Sequence, residues 1–341
     1  MELPNYEIVE PVGPCPEIAR IRGAEEHEAQ LDDVTCRYLT AGSGPALLLI
    51  HGFMGYSFSW RFNIEPLAQQ FSLYAVDLPG CGFSQRSDRL KGTLHGDAET
   101  LLHFLDYAGI ERANVLGTSR GGGVAIALAA LAIQRGLGDR IGGLILNAPI
   151  NPWSGNGRIL TRILATAIGG MYVVHVQPRL PFVLERYFRG LYGDPRRIAP
   201  GSLEGYEAGF KPAGTFEHLL RIVRSWHRDL ALIEESLPTI ANIPTLLLWG
   251  TKDTAVYYSS AAELHRRLKN STILLMEGVG HMPYEETPEE FNRIVSEFLL
   301  RGLPRTPMGI EPLSTVPKLA PLPVSCPLGS TPDRPLASRE P

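Results

Sequence analysis

Ser119 stands in Gly117-Thr118-Ser119-Arg120-Gly121, a G-x-S-x-G spacing. An apolar run ends at Leu116 just before it, and an alanine- and leucine-rich run from Val124 to Leu131 follows. A strand feeding directly into a helix at this spacing puts the serine on a sharp turn, where glycine at 117 and 121 avoids collision with the neighbouring strand and helix. The turn lifts the hydroxyl out of the sheet. It also sets the Arg120 N–H at a helix N-terminus, where developing negative charge is favoured. Such a serine can act as a nucleophile if a base takes its proton. A glycine-rich loop with an incidental serine has the same spacing, so the base must be sought elsewhere.

The best base is His281, in Gly278-Val279-Gly280-His281-Met282-Pro283, just after the last apolar strand. Asp253, in Trp249-Gly250-Thr251-Lys252-Asp253, follows the preceding strand in the same way and can orient that imidazole. Loops at the C-terminal ends of parallel strands are where open α/β sheets place reactive groups. Asp77 also follows an apolar strand. It precedes Pro79, Gly80 and Gly82, however, a tight turn whose N–H groups an aspartate can satisfy locally. Asp253, not Asp77, is therefore expected to orient His281.

These loops need a scaffold. Two alternating stretches between Glu25 and Thr40 predict a strand pair, and Ala46–Ile50 is a continuous apolar run, as in a strand buried on both faces. Further strands are expected at Ser72–Val76, Ala113–Leu116, Gly143–Leu146, Ile243–Trp249 and Thr272–Met276. Helices are expected near Trp60–Gln70, over Thr93–Ala108, near Ser259–Leu268 and over Thr287–Leu300, the last with Thr287 as cap. Strands alternating with helices predict an α/β fold with a doubly wound, mostly parallel sheet. The alternation fails over 150–238. That region reads as short helices broken by glycine and proline, inserted as a helical cap, with 10 aromatics and, from Asn151 to Leu230, 11 Lys+Arg against 6 Asp+Glu. His175, His218 and His227 fall in it and are expected to be structural. The expected layout is an arm over 1–24, a core over 25–149 and 239–302, the cap over 150–238, and a disordered tail over 303–341. Ten of the last 40 residues are proline.

Five segments in this order resemble the α/β-hydrolase superfamily, whose chain order is nucleophile, acid, histidine. They are the G-x-S-x-G turn; His51-Gly52-Phe53, like that family's oxyanion loop; Asp77-x-x-Gly80-x-Gly82-x-Ser84; Trp249-Gly250-x-x-Asp253; and Gly280-His281-x-Pro283-x-x-Glu286. The resemblance covers about residues 40–300. It implies the α/β-hydrolase fold and a catalytic triad of Ser119, Asp253 and His281. The oxyanion would be held by the backbone N–H groups of Arg120 and Phe53, with Met54 as the alternative to Phe53. His51 would brace its loop. Arg120 departs from the apolar residue often found after the nucleophile, so its side chain must find solvent, a carboxylate or substrate.

A serine nucleophile excludes the chemistry of relatives that use a carboxylate, the haloalkane dehalogenases and epoxide hydrolases, because it would leave an alkyl ether that water cannot cleave. Acyl chemistry is implied: a serine esterase, carboxylesterase-like, acting on a small, largely apolar ester without metal or organic cofactor. A carbon–carbon bond hydrolase is the nearest alternative, disfavoured by the lack of a Gly-Pro-Gly extension after Gly52. A small-molecule receptor on the same scaffold stays open.

Length and charge agree with this. The 341 residues suffice for a large domain with an insertion, and a net charge of −4 gives no sign of nucleic-acid binding. Cys15, Cys36, Cys81 and Cys326 lack metal-ligand spacing and are expected to be reduced thiols. No signal-peptide pattern and no membrane-spanning run are evident, so a cytoplasmic location is expected.

Overall fold

The computed structural model describes residues 15–302. The beginning of the expected arm, Cys326 and the tail over 303–341 lie outside them. Eight strands make one sheet in the order β1-β2-β4-β3-β5-β6-β7-β8. β1 (Glu25–Leu31) and β2 (Val34–Ala41) form an antiparallel pair, and β2 lies antiparallel to β4. β3 (Ala46–Ile50), β4 (Ser72–Val76), β5 (Ala113–Thr118), β6 (Ile141–Asn147), β7 (Thr245–Gly250) and β8 (Ser271–Met276) pair in parallel. Leu47, Leu48, Leu49 and Ile50 of β3 are fully buried because helices cover both faces, and each contributes about 1.5–3 kcal/mol by leaving water.

Between β3 and β4 the expected helix is shorter than its sequence window. A 3₁₀ turn over Ser57–Trp60 is followed by α1 (Ile64–Ala68). Pro66 explains the late start: deeper inside a helix its ring would strike the carbonyl four residues back. α2 (Leu94–Tyr107) begins where Thr93 accepts the Gly96 N–H, a side-chain cap. α3 (Arg120–Gln134) is buried continuously from Arg120 to Ala132, packed between α2 and α8, so its sequence is apolar on all sides.

Between β6 and β7 the chain is helical: α4 (Arg158–Ala165), α5 (Ala167–Met171), a π turn over Tyr172–Val176, α6 (Pro181–Leu191), α7 (Ser202–Ala208) and α8 (Thr215–Ile240). The last departs from the expectation of short, broken helices. It runs 26 residues, because no glycine or proline occurs between Gly214 and Pro238, and Pro238 sits only in its last turn. It packs along α3, so the inserted region is laid onto the core by its longest helix. α9 (Ala261–Arg267) leads to β8; α10 (Pro283–Glu286) and α11 (Pro288–Arg301) close the fold. Thr287 precedes α11 as expected but makes no side-chain cap, its hydroxyl donating instead to the Pro283 carbonyl at 3.4 Å.

Candidate active site

Ser119 joins β5 to α3 with φ +52° and ψ −119°, a conformation that costs a non-glycine residue about 1–3 kcal/mol. The turn is held by its own backbone. The Ser119 N–H donates to the Asn147 carbonyl at 2.9 Å, and its carbonyl accepts the N–H groups of Gly122 and Ile150, both at 3.0 Å. The two glycines have a steric cause: a Cβ at 121 would lie 2.3 Å from the His51 carbonyl oxygen, and one at 117 would lie 2.3 Å from that of Gly121.

Asp253 and His281, both buried, meet at 2.7 Å between Oδ2 and Nδ1. The other carboxylate oxygen accepts the N–H groups of Ala255 at 2.8 Å and Val256 at 2.9 Å, which fixes the acid's direction. A carboxylate only accepts, so His281 carries its proton on Nδ1 and presents Nε2 as a base. His281 is itself fixed by its backbone N–H, which donates to the Leu191 carbonyl at 2.7 Å. Gly280 permits that approach: a Cβ there would lie 2.3 Å from both the Gly193 nitrogen and the Leu191 oxygen. His281 and Ser119 line one cavity of about 30 Å³, and the Ser119 hydroxyl makes no hydrogen bond to another of the described residues.

Gly52 and Phe53 line the same cavity. The N–H groups of Phe53 and Arg120 donate to no group among the described residues. Met54, at φ +61°, does not line the cavity, whereas Phe53 does. His51 braces the loop: Nε2 accepts the Leu78 N–H at 3.0 Å while Nδ1 meets the Gly52 carbonyl at 2.9 Å. Burial lowers its pKa to about 4, keeping it neutral. Asp77 is spent on its own turn only through Phe83; its other partners come from two distant segments. It accepts from the N–H groups of Ser57 at 2.7 Å and Phe83 at 2.9 Å, and pairs with Arg37 at 3.2 Å.

The Arg120 side chain finds a carboxylate, Asp97 of α2, at 2.7 Å and also donates to the Gly92 carbonyl at 3.1 Å. Burial works against its charge, but Asp97 holds its pKa above the ordinary range. The ion pair and this hydrogen bond tie the residue after Ser119 to two other segments. His175 and His227 lie away from the cavity. His218, buried, has neither ring nitrogen paired among the described residues.

Other cavity residues carried no legible motif. Ser59, Tyr187, Phe188, Leu191, Tyr206 and Tyr284 are brought in from four separate elements. Glu286 stood in a quoted motif without a role. Its carboxylate accepts the N–H groups of Gly280 at 2.8 Å, Gly193 at 2.9 Å and Asp194 at 3.0 Å, binding the histidine loop to the inserted region. Glu285 beside it accepts the hydroxyl of Tyr192 at 2.6 Å and that of Tyr206. The signal was a pair of carboxylates four and five residues after the histidine.

A sequence model described as the Alpha/beta hydrolase family matches residues 47–294. An uncharacterized protein of Mycobacterium tuberculosis (strain H37Rv) is 30% identical over 281 residues, 76% of this chain and 76% of that protein. An uncharacterized hydrolase of Bacillus subtilis (strain 168), YugF, is 27% identical over 258 residues, 74% of this chain and 89% of its own. Among solved structures, the 2-hydroxy-6-oxo-6-phenylhexa-2,4-dienoate hydrolase of Rhodococcus sp. strain RHA1 superposes with a TM-score of 0.69 at 21% identity, covering 81% of this chain and 98% of that one. At that identity the likeness speaks for the fold.

Proposed function

The chain belongs to the alpha/beta hydrolase family, and within it we propose a serine hydrolase that cleaves carboxylic esters through an acyl-enzyme on Ser119. The observation that carries this reading is the 2.7 Å Asp253–His281 contact, set in the wall of the cavity that also holds Ser119. His281 Nε2 takes the hydroxyl proton as Ser119 Oγ bonds to the substrate carbonyl carbon. Negative charge collects on the former carbonyl oxygen, toward the N–H groups of Phe53 and Arg120. As the carbon–oxygen bond to the leaving group breaks, His281 returns the proton to that group. Water then repeats the sequence on the acyl-enzyme and restores the serine. Asp253 keeps the imidazole in one tautomer and stabilises its cation.

Tyr187, Phe188, Leu191 and Met282 line the cavity, which supports an ester with an apolar acyl part. The test is an ester assay on purified protein with a serine-directed phosphonate. Turnover is expected, lost on phosphonylation of Ser119. Ser119→Ala should lower kcat roughly 10⁴–10⁶-fold with the fold intact. Unchanged kcat in the folded variant would sink the assignment, and tight binding of esters without turnover would make the protein a receptor.

A further inference from the structure

The inserted region carries much of its apolar surface on the outside. Of the 14 large hydrophobic side chains exposed among the described residues, eight lie between Ile159 and Tyr187. That stretch is only 29 of the 288 described residues. None of the eight residues of α4 is buried, and Ile159, Leu160 and Ile163 stand more than half exposed. On α5, Gly169 and Gly170 pack inward against α4 and α8, leaving Ile168 81% exposed beside Met171. Phe182, at the start of α6, is 63% exposed. These elements pack on one another in sequence, α4 on α5, α5 on the π turn, and onward to α6.

The same stretch is cationic in a chain of net charge −4. Arg158, Arg162, Arg179, Arg186 and Arg189 face one carboxylate, Glu185, which is already paired with Arg189 at 2.8 Å. A second copy is a poor occupant, because two such faces would set arginine against arginine. An anionic lipid surface satisfies both halves of the chemistry: guanidinium groups at the phosphates, aliphatic and aromatic side chains in the acyl boundary. Among the described residues no single helix is long and apolar enough to cross a membrane. α4 and Ala167–Arg179 pass such a test only together, and they are bent by 84°. That shape suits a segment lying in an interface.

We infer that residues 158–189 dock this protein on an anionic lipid surface, with Ile159, Ile168 and Phe182 entering the headgroup–acyl boundary. α6 then has two duties. Its outer side meets lipid through Phe182, and its inner side closes the cavity with Phe188 and Leu191. A cavity of about 30 Å³ holds little more than water, so substrate entry needs this helix to move. Docking therefore acts on the element that shuts the site, and the substrates are esters already dissolved in the lipid. This last step rests on the hydrolase reading; the docking does not.

The test is co-sedimentation of the full chain with vesicles of phosphatidylcholine containing phosphatidylglycerol, against vesicles of phosphatidylcholine alone. Binding is expected to the anionic vesicles and to fall as salt is raised. An Ile159→Glu, Ile168→Glu double variant, both positions being at the surface, should keep the melting temperature and short-chain ester turnover while binding vesicles roughly tenfold or more weakly. Arg162→Gln with Arg186→Gln should lose the preference for anionic lipid. Ser119→Ala should bind as the parent does, which separates docking from catalysis. No vesicle binding at low salt, or equal binding by the glutamate variant, overturns the inference. So does self-association that the glutamate variant abolishes, which would assign the face to a second copy.

Discussion

Two loops at the same edge of the sheet each bury an aspartate, and they use it in opposite ways. At the end of β4, both oxygens of Asp77 are consumed structurally, by Phe83 of its own turn and by Ser57 and Arg37 of two other segments. After β7, one oxygen of Asp253 is consumed by Ala255 and Val256, and the other is turned on His281. Burial does not separate them, since both are nearly inaccessible. The lesson is one of accounting at the level of single lone pairs: an acid becomes available for chemistry when its structural partners satisfy half of it and no more.

The comparison breaks most visibly in kinetics. Asp253→Asn should lower kcat roughly 10⁴-fold, the scale for neutralising a triad acid, with little change in melting temperature. If ester turnover survives that change and collapses in Asp77→Asn, the two loops have been assigned the wrong way round.

A third buried acid beside the site, Asp97, sharpens the contrast because its partner is a permanent cation. Arg120→Met should cost about 3–5 kcal/mol of stability by stranding Asp97, and Asp97→Leu added to it should recover most of that loss. Denaturant titrations of the single and double variants check this. A single variant as stable as the parent would show that the ion pair holds nothing together.

Asp77→Asn should cost about 3 kcal/mol, because an amide offers one acceptor where two N–H groups and Arg37 need the carboxylate. kcat/KM measured well below the melting temperature should change only a few-fold. A large kinetic loss at full stability would give Asp77 a part in catalysis.

The smallest expected effect extends the contrast from acids to histidines. His281 is oriented by a carboxylate, whereas His218 is buried with both ring nitrogens unpaired among the described residues, and burial, with Arg120, Arg86 and Arg221 adding to it, lowers its pKa to about 3. The unfolded chain takes up that proton near the ordinary 6.5 and the folded chain does not, so stability is lost as pH falls below that value. Between about pH 7 and about pH 5 this amounts to about 2 kcal/mol. His218→Leu should narrow the difference in melting temperature between those two conditions, and an unchanged difference would mean that His218 is protonated in the fold or already paired.

Much of the frame was legible in advance because it depends on local chemistry. Apolar runs such as Ala46–Ile50 can only be strands covered on both faces, and a G-x-S-x-G turn needs its glycines for contacts close by in the chain or across one strand. The inserted region was harder for the opposite reason. Its helices are fixed by what they touch far away in sequence: Gly193 meets Gly280 across 87 residues, and Tyr206 reaches Glu285. α8 was hidden by the glycines and prolines on either side of it, although its own interior up to Pro238 contains neither. The side chain of Arg120 had three open destinations in the sequence, and only the packing of α2 against α3 decides for Asp97.

The lacing between the histidine loop and residues 191–194 bears on how this protein could be rebuilt. The inserted region invites treatment as a detachable part, to be trimmed away for an open catalyst or exchanged for that of a relative. Cutting it out whole would remove the carbonyl that receives the His281 N–H and three of the donors to Glu286, the N–H groups of Gly193 and Asp194 and the Arg197 guanidinium at 3.1 Å. His281 would lose its anchor along with its cover. A graft must keep Leu191 to Arg197 as native chain and place its joint before α6 ends, so the exchangeable part is the front of the insertion alone.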